Sequence, residues 1–82
     1  MNALMGISIY PNPTNGIIYV NSTSENKNLN LSIVDVNGKV VYNHSGLNGK
    51  TNMIDIEKLA QGVYFIKINN EHDQKIIKLV KQ

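Results

Sequence analysis

The chain contains no cysteine, no tryptophan and no arginine, and each absence removes a class of protein. Without cysteine there is neither a disulfide framework nor a thiolate metal site, so stability rests on packed apolar side chains. Without arginine there is no planar fork for bidentate readout of phosphate or guanine. The eight basic residues are all lysine, scattered from Lys27 to Lys81 against six acids, for a formal net charge of +2. A nucleic-acid interface gathers its cations on one face, and only Lys75, Lys78 and Lys81 come near one another here. No nucleic-acid partner is expected. Apolar runs stop at four residues, far short of the roughly twenty that a spanning helix needs, so no direct membrane insertion is expected either. The opening Met1-Asn2-Ala3-Leu4-Met5-Gly6 has no basic region and no long apolar stretch. It does not read as a signal peptide, and export would require this chain to be a piece of something larger.

What the chain does have is alternation. Its 82 residues suit one small domain, which buries only about 60–65% of its unfolded surface. Residues 1–6 read as a linker remnant or tail and residues 7–82 as the domain. Ile7–Tyr10 reads as a first strand, broken by Pro11-Asn12-Pro13-Thr14-Asn15-Gly16, where two prolines lack N–H donors and Asn-Gly favours a turn. Ile17–Asn21 is a second strand and Ser22–Asn28 a polar loop. Leu29, Leu31 and Ile33 alternate with Asn30, Ser32 and Val34 in a half-buried third strand. Asn37-Gly38 then sits between apolar runs, a strong hairpin signal, and Lys39–Asn43 returns as the fourth. A loop over residues 44–50 precedes a fifth strand, Thr51–Ile56. Glu57–Gln61 reads as a single turn. Val63–Asn69 is the sixth strand, with Tyr64, Ile66 and Ile68 inward, and Asp73–Val80 the seventh. The expectation is all-β: a seven-stranded immunoglobulin-like or fibronectin-like antiparallel sandwich.

One local motif carries a mechanism. Leu59-Ala60-Gln61-Gly62-Val63-Tyr64 has the parts of a tyrosine corner, in which a Tyr near the start of a late strand returns its hydroxyl to upstream backbone. Leu59 would plug the end of the core. Gly62 would permit a backbone that a Cβ resists. Tyr64 would bury its ring while satisfying its hydroxyl.

These segments together resemble a known family. Ile9-Tyr10-Pro11-Asn12-Pro13-Thr14-Asn15-Gly16 is similar to the Y-P-N-P-x-x-G signature of type IX secretion C-terminal sorting domains. Ile33-Val34-Asp35-Val36-Asn37-Gly38-Lys39-Val40-Val41 resembles that family's middle motif, with Val34 where many members carry an aromatic residue. Leu59-x-x-Gly62-x-Tyr64 resembles the third motif, and Lys75–Gln82 the terminal strand, with the family's basic residue at Lys78. The likeness spans residues 7–82. It marks Pro11, Asn12, Pro13, Gly16, Asp35, Gly38, Leu59, Gly62 and Tyr64 as motif residues with structural roles. It implies a non-catalytic signal at the end of a larger precursor, which passes through the periplasm to the outer membrane or cell surface. The partners it implies are outer-membrane proteins of the secretion system, reading Lys78, Leu79, Val80, Lys81 and Gln82, and a sortase-like peptidase that anchors the cargo. The cut would fall among Ala3, Leu4, Met5 and Gly6.

The last strand, placed at a sheet edge, would offer its backbone to a partner or to a second copy of the chain. Edge lysines such as Lys78 and Lys81 would oppose wrong pairing or contact an acidic receptor surface. Catalysis and cofactors have little support. His44 and His72 lie in polar stretches, with Glu71 and Asp73 beside the second, and structural zinc wants four closed ligands. Asp35, Asp55, Glu57 and Asp73 could offer oxygens to calcium, but no D-x-D-x-D-G loop is present. Ser45, His44 and Asp35 lack a nucleophile elbow and an oxyanion hole. The alternative function is a fibronectin-like adhesive or carbohydrate-binding module, which would rely on Tyr10, Tyr19, Tyr42 and Phe65 as exposed aromatics.

Overall fold

The computed structural model describes residues 6–71 and 73–82, and side chains at 23–28, 48 and 49 lie outside that description. Five continuous strands follow one another: β1 (Ile7–Tyr10), β2 (Ile17–Val34), β3 (Val40–Asp55), β4 (Gly62–Asn69) and β5 (Gln74–Lys81). Every strand pairing is antiparallel. The first part of β2 lies between β1 and the last part of β3, through pairs such as Ile9↔Val20 and Ile18↔Ile54. Its last part lies between the first part of β3 and β4, through Ile33↔Tyr42 and Ile33↔Ile66. β5 completes that second sheet beside β4. Counted by pairing, these are seven antiparallel segments in two sheets, the all-β sandwich expected.

Two expected loops are corrected. Residues 22–28 and 44–50 are extended and belong to the long strands β2 and β3. Their polar composition reads as loop, but Asn26↔Gly49 and Leu29↔Leu47 continue the backbone pairing, and Leu47 is buried in the core cluster. Register shifts between Asn21 and Asn26 and between Asn26 and Leu29 interrupt the ladder there. Such irregularities bend a strand and let one ribbon serve both sheets.

Alternation then builds the core. Ile7, Ile18, Val20 and Ile54 from the first sheet meet Leu29, Leu31, Ile33, Tyr64, Ile66, Ile68 and Leu79 from the second. Six of the isoleucines and leucines in this set are completely buried: Ile18, Leu31, Ile33, Ile66, Ile68 and Leu79. Each such side chain is worth about 1.5–3 kcal/mol of transfer free energy. Within the β2–β3 hairpin, the Asp35 carboxylate accepts from the Asn37 and Lys39 N–H groups, both at 2.9 Å. The Gly38 N–H donates to the Asp35 carbonyl at 3.0 Å, closing the turn where Asn37-Gly38 predicts it.

Candidate functional site

The segment between β1 and β2 does more than turn the chain. Thr14 is almost fully buried; its hydroxyl donates to the Ile17 carbonyl at 2.7 Å and accepts from the Gly16 N–H at 3.1 Å. Gly16 adopts φ +157°, and a Cβ there would lie 2.5 Å from Glu57 Cγ and 3.2 Å from Glu57 Cα. Only glycine lets the two backbones approach closely enough for the Ile56 N–H to reach the Gly16 carbonyl at 2.7 Å. So anchored, Thr14 forms a parallel bridge around Lys81. Its N–H donates to the Val80 carbonyl at 2.9 Å, and its carbonyl accepts from the Gln82 N–H at 2.8 Å.

Asn12 repeats that pattern with its side chain. Nδ2 donates to the Lys78 carbonyl at 2.7 Å, and Oδ1 accepts from the Val80 N–H at 3.1 Å. The carboxamide therefore imitates one more peptide unit of a parallel strand, around Leu79. The side chain must carry a donor and an acceptor together, which asparagine does and aspartate does not. The flanking prolines, Pro11 and Pro13, bring no N–H groups that would need partners at this edge. Segment 12–14 thus occupies the outer edge of the C-terminal half of β5.

The inner side of that half is held by the corner motif. Gly62↔Lys81, Val63↔Val80 and Tyr64↔Leu79 are consecutive pairs. The Tyr64 hydroxyl donates to the Ala60 carbonyl at 2.7 Å, with the ring buried, as the corner motif requires. Gly62 takes φ +151° with open space around it, so it is backbone conformation, not room, that calls for glycine. Leu59 packs against the core cluster, and its N–H closes a turn onto the Ile56 carbonyl.

β5 is the edge strand of its sheet, and these neighbours cover its last residues. From the Lys78 carbonyl to the Gln82 N–H the outward backbone groups already have partners within the chain. The five terminal residues also divide by face. Leu79 is completely buried and Lys81 is 8% exposed, so both point into the sandwich. Lys78 and Gln82 are exposed and Val80 half-buried on the other side. The three terminal lysines divide likewise. Lys75 Nζ donates to the Ile7 carbonyl of the opposite sheet at 2.8 Å, and Lys81 Nζ reaches the Gln82 main-chain oxygen at 3.4 Å. Only Lys78 of the three faces water.

The terminal edge is therefore gripped between the first signature and the third. The family model for secretion system C-terminal sorting domains matches residues 8–82. The chain belongs to that family. A comparison with curated proteins gives no match. As a type IX sorting domain the chain carries a C-terminal secretion signal, and it implies contact with the secretion machinery and export to the surface or beyond as part of a larger precursor. The family is generally non-catalytic.

The remaining expected residues are placed without gathering a reactive centre. His44 is exposed on β3, and His72 lies outside the described residues. Asp35 serves the hairpin, and the Asp55 carboxylate accepts from the Glu57 N–H at 3.0 Å. Among the described residues no three His, Asp or Glu side chains cluster to hold a metal. Ala3, Leu4 and Met5 lie outside the described residues, and Gly6 sits in a half-buried turn before β1. Two shallow clefts among the described residues lie near these elements. One, of about 350 Å³, is lined by Pro11, Gly16, Tyr19 and Glu57 among others. The other, of about 580 Å³, is lined by Tyr42, Asp55, Glu57 and Leu59 among others. Thr14 is the residue that sequence reasoning missed; a Thr two positions before a Gly, in a turn, is the available signal for a hydroxyl that folds back on its own backbone.

Proposed function

We propose that this chain is the folded export signal of a larger secreted protein, read by the outer-membrane translocon after it has folded, with the precursor then cut upstream by a sortase-like peptidase. The convergence of the family signatures on β5 supports the reading. Asn12 and Thr14 hold its outer edge, and Gly62–Tyr64 holds its inner edge. A reader of this strand meets a rigid surface, and the signal exists only once the domain is complete. Residues 7–82 act as the signal, and the cut falls in residues 3–6.

Truncation is a poor test, because removing residues 78–82 also removes Leu79 from the core. A gain of export is cleaner. A periplasmic reporter fused ahead of this chain should reach the surface or medium of a type IX-competent host, while the reporter alone stays in the periplasm. A fusion that is folded and soluble in the periplasm but never leaves it would refute the proposal.

A second reading has one specific observation in its favour. Tyr10 and Tyr19 stack on the outer face of the first sheet, with centroids 5.7 Å apart and planes at 28°. Both are well exposed, as sugar-binding platforms are. Glycan-array binding that is lost on Tyr19→Ala would favour an adhesive or carbohydrate-binding module.

A further inference from the structure

The edge of β5 is closed over its last residues, and the outer face of the same sheet offers a reader another route. Cross-strand pairing lays out its rows. Val40, Val34, Phe65 and Lys78 form one. Asn43, Ser32, Lys67 and Ile76 form the next. Val63 and Val80 extend the patch. Period-two alternation puts these side chains opposite the core residues Ile33, Tyr64, Ile66 and Leu79.

Several features set this face apart from an ordinary solvated one. Val34 is 7% exposed yet does not belong to the core cluster, so its neighbours bury it on the outer side. Ile76 and Val40 are 53% and 54% exposed. Solvent-facing strand positions in a two-sheet sandwich are usually polar. The charges on this face are of one sign. Lys67 and Lys78 are exposed, and none of the outward positions in these rows is acidic. The opposite face of the sandwich, by contrast, carries Asp55 beside Ile17.

We infer that this face is the docking surface for a protein partner that presents carboxylates around an apolar patch. Lys67 and Lys78 would meet the carboxylates while Phe65 and Ile76 lose water against the patch. The assignment rests on the sorting-signal reading and specifies which surface of the signal is read. The small size of the charge favours a protein over an anionic membrane. Two lysines contribute about 1 kcal/mol each at an anionic bilayer, too little for these residues, which include no tryptophan, to hold a membrane.

The test uses the reporter fusion carrying the full chain. Lys67→Glu with Lys78→Glu should reduce export by about tenfold or more, whereas Lys67→Arg with Lys78→Arg should leave it near normal. Ile76→Ser should give an intermediate loss. Thermal melts of the purified chain should be unchanged for all three, because the substituted side chains are exposed. Normal export of the folded Glu double variant overturns the inference. Deleting the whole chain separates the two levels. If deletion abolishes export and the Glu double variant does not, the face is refuted and the sorting signal stands. If deletion changes nothing, the sorting reading falls. Two other occupants would also overturn the assignment. One is a wild-type dimer in sedimentation that the Glu double variant dissolves. The other is flotation with phosphatidylglycerol vesicles that the same variant abolishes.

Discussion

β5 and the first part of β3 are the two outer strands of the same sheet, and they are finished in opposite ways. β5 pairs with β4 without interruption from Gly62↔Lys81 to Asn69↔Gln74. Such a regular edge is a ready template for another strand. It is closed over its last residues by Asn12 and Thr14. β3 pairs with β2 alone among the described strands. It carries no lysine and no acid from Val40 to Gly49. Yet its ladder is broken between Leu29 and Leu31 and again between Ile33 and Val34. Irregular register twists an edge away from flat pairing. The difference teaches what the Pro-Asn-Pro signature is for. A straight edge needs a cap supplied from elsewhere in the chain, and a bulged one does not.

The sharpest way to break the comparison is to loosen β5 from inside. Leu79→Ala removes a completely buried side chain from the core cluster. The expected cost is about 2–5 kcal/mol, a large share of the stability of so small a domain. Denaturant titration reads it, and a loss below about 1 kcal/mol would mean that β5 is held chiefly by its edges. Loosening β5 from outside should cost less. Asn12→Leu keeps much of the volume but removes both the donor to the Lys78 carbonyl and the acceptor of the Val80 N–H, for about 1–2 kcal/mol. Hydrogen exchange should rise at the Val80 amide and stay low at the β4 amides. The opened edge should also make the variant associate as concentration rises, seen by sedimentation. Equal protection of Val80 in both proteins would show that the carboxamide is not the cap. Tyr64→Phe ranks third. It deletes the hydroxyl bond to Ala60 and keeps the ring, so a loss of about 1 kcal/mol and a melting decrease of about 4–8 °C are expected.

The fold was legible in the sequence where side chains alternate. Leu29, Leu31 and Ile33, and Tyr64, Ile66 and Ile68, are inward as their period predicts. Asn37-Gly38 sits in the hairpin turn. Residues 22–28 and 44–50 were not legible, because one buried leucine, Leu47, in a polar stretch leaves no hydrophobic period to read. The family signatures were visible as motifs, but their meeting on β5 was not. Asn12 and Val80 are sixty-eight residues apart in sequence, and no local rule brings a carboxamide to a strand edge at that distance. Likewise Lys78 and Lys81 read as a pair of surface charges. Three residues in a strand is an odd number, so they lie on opposite faces, and only the sheet decides which one meets water.

The smallest effect expected is on the open edge, and its smallness is the point. Asn43 is exposed on β3, opposite Ser32. Asn43→Lys adds the charge with which regular edges are usually protected. If the bulges already prevent pairing, the added lysine has nothing to prevent. Stability should then stay within about 0.5 kcal/mol of the parent, and the sedimentation of the chain should not change at any concentration at which the parent is monomeric. A parent that self-associates, and stops doing so on Asn43→Lys, would show that an irregular register does not protect β3. The two edges would then differ only in which of them was left uncapped.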